Sequence, residues 1–150
     1  MQQFLLFLHV LGAATWFGAG VAAMTLSMRY AKAEGPAAST FHRALADLGL
    51  RVQTPAAVVL LVTGIFLVLG SNDAYSFGSV FVSIGFFTII VGAILGSRFF
   101  GPLAKKAADL HDSGEVGAAR AIEAKVARVG SAEGALLAIT IAAMIWRWGA

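Results

Sequence analysis

The 150-residue chain contains no cysteine, only three prolines and few charges, since Asp, Glu, Lys and Arg together make up 13% of it. The absence of cysteine excludes disulfides, zinc–thiolate sites, iron–sulfur ligation and cysteine nucleophiles. A soluble domain is about one quarter charged and about half apolar, whereas 59% of this chain is hydrophobic. The composition therefore argues against an ordinary water-soluble domain and predicts a single membrane-embedded domain over residues 1–150.

Several functional signatures are also lacking. The sequence has no phosphate-binding G-x-x-x-x-G-K-[ST] loop, no H-E-x-x-H zinc motif and no G-x-S-x-G nucleophile elbow. No apolar block carries the acidic or basic relay of a proton-driven pump. Nothing points to nucleic acid as a partner, because the net charge of +3 bears first on membrane orientation.

Four apolar blocks dominate what is present. Each is close to the roughly 20 residues that a helix needs to cross about 30 Å of hydrocarbon. Each is predicted to be helical, because backbone groups in lipid must find their partners within the segment. No Lys or Arg precedes the first block, which is also longer than the apolar region of a signal peptide, so we expect a retained helix. The sequence predicts an all-α integral membrane protein, a bundle with spans at about residues 4–28, 48–69, 80–100 and 132–148.

The basic residues alternate between the loops. The second loop has none, whereas ten lie in the first and third loops: Arg29, Lys32, Arg43, Arg51, Arg98, Lys105, Lys106, Arg120, Lys125 and Arg128. The positive-inside rule then places these two loops in the cytoplasm and both termini outside, in a bacterial inner membrane. Apolar residues at helical spacing in 37–52 and 115–129 predict that spans two and four continue into the cytoplasm as amphipathic helices. His42 and His111 lie in these loops and are expected to be solvated, with no assigned role.

His9 is the only histidine within a predicted span, and an ionisable group in that position suggests a function. A neutral imidazole can ligate haem iron, copper or zinc, or it can simply donate a hydrogen bond to a neighbouring helix. Gly12 and Trp16 follow on the same helical face. Such a face offers a flat notch for a porphyrin, and it equally suits close packing of another helix.

One methionine and three charged residues are further candidates for a site that includes His9. Met144 lies at a depth similar to that of His9 and is a candidate sixth haem ligand, although a lone Met more often fills a core. Arg51, Arg98 and Glu133 gather at the inner ends of the spans. They are expected to pair with one another, or to bind a carboxylate such as a porphyrin propionate; snorkelling arginines are the simpler interpretation.

The segment Leu8-His9-Val10-Leu11-Gly12-Ala13-Ala14-Thr15-Trp16-Phe17-Gly18 resembles the first helix of the CopD-like superfamily. That superfamily includes copper-resistance D membrane proteins and the J-type, four-helix protoporphyrinogen oxidases. Arg128 with Glu133, and Arg98 with Phe99, are similar to segments of the oxidase family's fourth and third helices. The resemblance implies haem b bound through His9. The oxidase family has a lysine near the start of its third helix, and this chain has none at 80–82. The resemblance therefore implies His9 as a haem ligand but does not imply the oxidase reaction.

Three functional hypotheses follow. The first is a haem-binding membrane protein acting in electron transfer, haem handling or a cofactor-dependent oxidation, with an unidentified redox partner and, if it is an enzyme, oxidoreductase chemistry. The second is a cofactor-free accessory subunit. Its helix faces with small residues, Ala14-x3-Gly18 and Gly92-x3-Gly96, would bind a second copy or a larger membrane complex. The third is a copper-handling membrane protein, which the scattered placement of the four methionines disfavours.

Overall fold

The computed structural model describes residues 1–72 and 74–149. Within these residues the chain forms no strand and six α-helices: α1 Gln2–Arg29, α2 Gly35–Leu48, α3 Thr54–Leu69, α4 Val80–Leu95, α5 Gly101–Asp112 and α6 Val116–Trp146. Four helical rods are long and apolar enough to cross a membrane, namely α1, the continuous pair α2–α3, the continuous pair α4–α5, and α6. The predicted all-α class and the four candidate spans are confirmed at this level.

The helical rods extend further than the predicted spans. The helical continuations predicted before spans two and four are present, because α2 runs into α3 and α6 already begins at Val116. The third rod continues as far as Asp112, although the third span was predicted to end at residue 100 and to be followed by a loop. Its α5 portion has only two large apolar residues, Leu103 and Leu110, among alanines and charged side chains, so its helical periodicity is weak.

The second and third rods each contain a π-helical turn just before a proline. These turns are Gly49–Gln53 and Gly96–Phe100, and Pro55 and Pro102 lie two residues beyond them. Proline has no N–H, and its ring clashes with the carbonyl four residues earlier in a regular α-helix. The amide just before each proline bonds five residues back instead of four. A π turn thus accommodates each proline within a continuous helical rod.

Large apolar side chains cover the outer surface of the four rods. Phe7 on α1, Val58 on α3, Phe87 on α4 and Ile139 on α6 are each at least half exposed. Contiguous apolar surface of this extent is unusual on a water-soluble monomer. It is the surface expected of helices that face lipid.

Inside the bundle the helices approach closely at small residues. A Cβ added to Gly12 of α1 would lie 3.1 Å from Leu60 Cγ and 3.3 Å from the Ala56 carbonyl oxygen of α3. Trp16, only 5% exposed, covers Gly92 of α4. Small residues permit this approach, and dispersion contacts rather than the hydrophobic effect hold helices together in lipid.

One end of the bundle is built differently from the rest. The α1–α2 turn, α2, α5 and residues 116–128 of α6 form what we term the polar end. Its helices meet through alanines, since Ala38, Ala107, Ala108 and Ala119 are each at most 2% exposed. Side chains this small let α2, α5 and α6 approach closely, which brings the longer polar side chains beside the alanines into one cluster.

A candidate metal centre at the polar end

The structure places His9 against α3. Its Nδ1 lies 3.0 Å from Thr63 Oγ1, and the Thr63 hydroxyl donates its proton to the Val59 carbonyl at 2.6 Å. Nδ1–H is therefore the donor to Thr63, which leaves Nε2 as the lone-pair nitrogen of the neutral ring. The hydrogen bond to a neighbouring helix, one of the two interpretations of His9, is present.

The notch predicted beside His9 is filled by protein. Leu60 and Ala56 occupy the face of Gly12, and the Trp16 indole lies over Gly92. Surface clefts of about 240 and 440 Å³ occur elsewhere, beside Tyr75 and beside Arg43. The His9 side chain thus meets the requirement for a ligand nitrogen, whereas the α1 face expected to receive a porphyrin is helix–helix contact.

Met144 lies at the contact between α6 and α4. The Met144 methyl packs against Gly85 of α4, beside a cluster that includes Phe81. Met144 is thus seated between helices as core filling, the role more usual for a single methionine.

The structure does not contain the ion pair that was one of the alternatives for Glu133. Arg51 and Arg98 are exposed, and across residues 1–72 and 74–149 neither forms an ion pair with Glu133. The Glu133 carboxylate turns inward, with Oε1 3.3 Å from where a Cβ on Gly92 would lie. The long arginine side chains instead extend outward from the π turns, as snorkelling predicts.

The polar end brings together three ligand-type side chains. His42 Nε2 of α2 and His111 Nε2 of α5 each lie 2.8 Å from the same oxygen, Oε1 of Glu123 on α6. The imidazole rings are nearly parallel, with an interplanar angle of 10° and centroids 5.6 Å apart. One ligand atom from each residue falls within 4.8 Å of the others. Three separate helices therefore direct two nitrogens and one oxygen to a common point.

The expectation that His42 and His111 are solvated is wrong. The His111 side chain is 0% exposed and that of His42 is 12% exposed. His111 lies three and four residues after Ala108 and Ala107, so it shares their buried helical face. Had α5 been predicted, that spacing would have placed His111 inside the polar end. The Glu123 side chain, 20% exposed, leaves the cluster a route to solvent.

Charge in the cluster is balanced by Arg120. Its Nη1 donates to Glu123 Oε2 at 2.9 Å, so both oxygens of the carboxylate are engaged. Burial tends to raise the pKa of Glu123, but hydrogen bonds from His111, His42 and Arg120 outweigh it and hold this pKa below its usual range. Glu123 is therefore an anion at neutral pH and available as a ligand.

His111 is incompletely satisfied in this arrangement. Its Nδ1 is fully buried and has no hydrogen-bond partner in the described part of the chain. An unpaired buried polar atom costs about 1–3 kcal/mol, and such atoms in native structures ask for an explanation beyond packing. An ion bound at Nε2 would leave this Nδ1 unpaired as well, so the orphaned atom does not distinguish a metal centre from a hydrogen-bonded cluster.

Comparison of the chain with family models, with curated proteins and with solved structures finds no match.

Proposed function

We propose that this chain is a multi-pass membrane protein that binds one divalent transition-metal ion through His42, His111 and Glu123. The observation that supports the proposal is the convergence of two imidazole Nε2 atoms, each 2.8 Å away, on one carboxylate oxygen. The three residues come from three different helices, so no local turn forces them together. The basic loops assign this end to the cytoplasm by the positive-inside rule.

The donor set selects the class of metal. Two imidazoles and one carboxylate form an N₂O set that suits Zn²⁺, typically with ligands at about 2.0–2.2 Å and a fourth position left to water or a substrate. In a tetrahedral site with such bonds the ligand atoms stand about 3.3 Å apart. Glu123 Oε1 therefore has to withdraw by about half an ångström from each nitrogen. Each neutral imidazole also has to carry its proton on Nδ1, so that the Nε2 lone pair is free to bind the ion. A centre with an open position is suited to exchanging its ion or to chemistry at that ion.

The competing interpretation is a purely hydrogen-bonded cluster, in which both neutral imidazoles donate to Glu123. Such a cluster would stabilise the packing of α2, α5 and α6 and would bind no ion. The two interpretations make opposite predictions for a metal titration, so the choice between them is experimental.

The test is an equilibrium titration of tag-free protein in detergent with Zn²⁺. We expect one ion per chain for the native sequence and no specific site in the double variant His42→Gln/His111→Gln. Circular dichroism of both proteins provides the folding control. A native chain that takes up no Zn²⁺, or a double variant that binds as tightly as the native chain, would refute the proposal.

A second candidate function is haem binding through His9, as the resemblance to the CopD-like superfamily implies. The observation that favours it is the hydrogen bond from His9 Nδ1 to Thr63, because a ligating histidine commonly donates its other ring N–H to a partner that fixes its orientation. Haem b would supply one-electron chemistry, and His9 would hold it.

The test of the second candidate is the absorption spectrum of the purified protein, oxidised and then reduced with dithionite. Haem ligation by His9 predicts a Soret band that His9→Ala abolishes and that Met144→Leu alters only if Met144 is the sixth ligand. A visible spectrum that stays flat in protein from haem-supplemented cells would reject this candidate without bearing on the metal centre.

A further inference from the structure

Arg120 joins the candidate metal centre to a distant part of the chain. Its Nη1 donates both to Glu123 Oε2 at 2.9 Å and to the carbonyl oxygen of Ala31, and its Nη2 donates to the carbonyl oxygen of Ala33 at 2.8 Å. Glu34 Oε1 lies 3.9 Å from Nη2. The Arg120 guanidinium thus contacts the candidate metal ligand Glu123 on one side and the α1–α2 turn on the other.

Arg120 supplies hydrogen bonds to two carbonyls of the α1–α2 turn. Ala31 and Ala33 follow the end of α1, where helix carbonyls lack partners within the helix. The backbone bonds here are sparse, from Ala31 N–H to Met28 at 3.4 Å and from Ala33 N–H to Tyr30 at 2.9 Å. A cation placed at this C-terminal end also interacts favourably with the helix dipole.

Glu123 is oriented from both sides. Oε1 accepts from the two histidines and Oε2 accepts from Arg120. The planar guanidinium presents several donors in a fixed arrangement, so it restrains the rotamer of Glu123 and the position of the turn together.

All four helical rods end at this cluster. His42 lies on the rod that continues into α3, and His111 lies on the rod that continues from α4. Glu123 and Arg120 belong to α6, while the turn bound by Arg120 follows α1.

We propose that Arg120 couples metal occupancy of the His42–His111–Glu123 centre to the order of the α1–α2 turn. Binding of one ion would then hold the polar ends of all four rods together. This inference rests on the proposed metal-binding function. Arg120 acts as a positioning residue through Glu123 and does not touch the ion. Coupling between two equilibria is reciprocal. If contact with the turn raises the affinity for the ion, then the ion must stabilise the turn by the same factor.

The experiment combines a Zn²⁺ titration with amide hydrogen exchange of residues 30–34, with and without saturating Zn²⁺, on tag-free full-length protein. In the native chain Zn²⁺ slows exchange in the turn. In Arg120→Met the affinity for Zn²⁺ falls by about 10–100-fold, as is typical when a partner of a metal ligand is lost. Saturating Zn²⁺ then no longer changes exchange in the turn.

Two further variants make the result specific. Arg43→Met removes a positive charge from α2, where Arg43 pairs with Asp109 and Asp112 at the surface, and it should behave as the native chain. Arg120→Lys retains the charge but cannot reach Glu123 and both carbonyls with one ammonium. It should therefore give an intermediate affinity, and it carries the test if Arg120→Met does not fold.

The outcomes separate the two proposals. A native chain that binds no Zn²⁺ refutes the metal centre and the coupling with it. A native chain that binds Zn²⁺ without any change in the turn refutes the coupling alone. Arg120 variants that keep native affinity and a native response of the turn likewise refute the coupling and leave the centre standing.

Discussion

Glu123→Gln is expected to lower the affinity of the protein for Zn²⁺ by more than about 100-fold, beyond the 10–100-fold typical of losing a ligand's partner. The substitution removes the only anion among the three candidate ligands and replaces it with a neutral amide of almost the same shape. Both imidazoles stay in place, so the loss reports the charge of the ligand and not its volume. A 100-fold change corresponds to about 2.7 kcal/mol of binding free energy.

The matched control is Glu115→Gln. Glu115 is exposed, immediately precedes α6, and carries the same charge about two helical turns before Glu123. Zn²⁺ affinity should be unchanged in this variant. Equal affinities of Glu123→Gln and the native chain would mean that the carboxylate is not a ligand.

Glu123→Gln and Glu115→Gln also test the alternative that the cluster is purely hydrogen-bonded and binds no ion. Glu123 accepts from His42, His111 and Arg120, whereas a glutamine amide nitrogen can accept none of these donors. If the cluster serves packing alone, Glu123→Gln lowers thermal stability while Zn²⁺ stabilises neither protein. If the cluster is a metal centre, the same concentration of Zn²⁺ raises the melting temperature of the native chain and of Glu115→Gln more than that of Glu123→Gln.

Gly92→Ala is expected to destabilise the bundle by about 1–3 kcal/mol, the usual cost of inserting an extra carbon into a packed core. The new Cβ would lie 2.3 Å from Trp16 Cζ2 and 2.6 Å from Cη2. Trp16 has little room to move, because it is 5% exposed and packs with Ala56 and Leu60. The steric cost should exceed the gain in helix propensity of about 1 kcal/mol that alanine brings over glycine.

Thermal unfolding in detergent, followed by tryptophan fluorescence, measures this effect. Gly18→Ala in α1 is the control, because a Cβ there meets no atom within 4 Å, and it should be neutral or stabilising. If Gly92→Ala were as stable as Gly18→Ala, the Trp16–Gly92 contact would not be the tight point of the bundle.

The four long apolar helices could be predicted from the sequence. Long apolar blocks have one stable form in lipid, so α1 was placed within two residues of its bounds, Gln2–Arg29. The α5 helix was missed because alanines such as Ala107 and Ala108 make up much of its buried face, and alanine produces little contrast in a hydrophobic pattern. Helices packed through small residues are difficult to recognise from periodicity alone.

The candidate site was largely beyond prediction for a related reason. His42 and Glu123 are 81 residues apart in the chain, and no spacing rule connects them. Treating histidines in charged loops as solvated was reasonable for extended loops, but it fails once the loops are helices whose small faces pack together. By contrast, a hydrogen bond from His9 to another helix was among the predicted alternatives, and the structure has it with Thr63.

X-ray absorption at the zinc edge of the tag-free, Zn²⁺-loaded protein would show which side chains bind the ion. We expect a first shell of nitrogen and oxygen at about 2.0–2.2 Å, with the scattering signature of two imidazoles that disappears in His42→Gln/His111→Gln. A first shell without imidazole, or a spectrum unchanged in the double variant, would contradict the claim that His42, His111 and Glu123 form a metal centre.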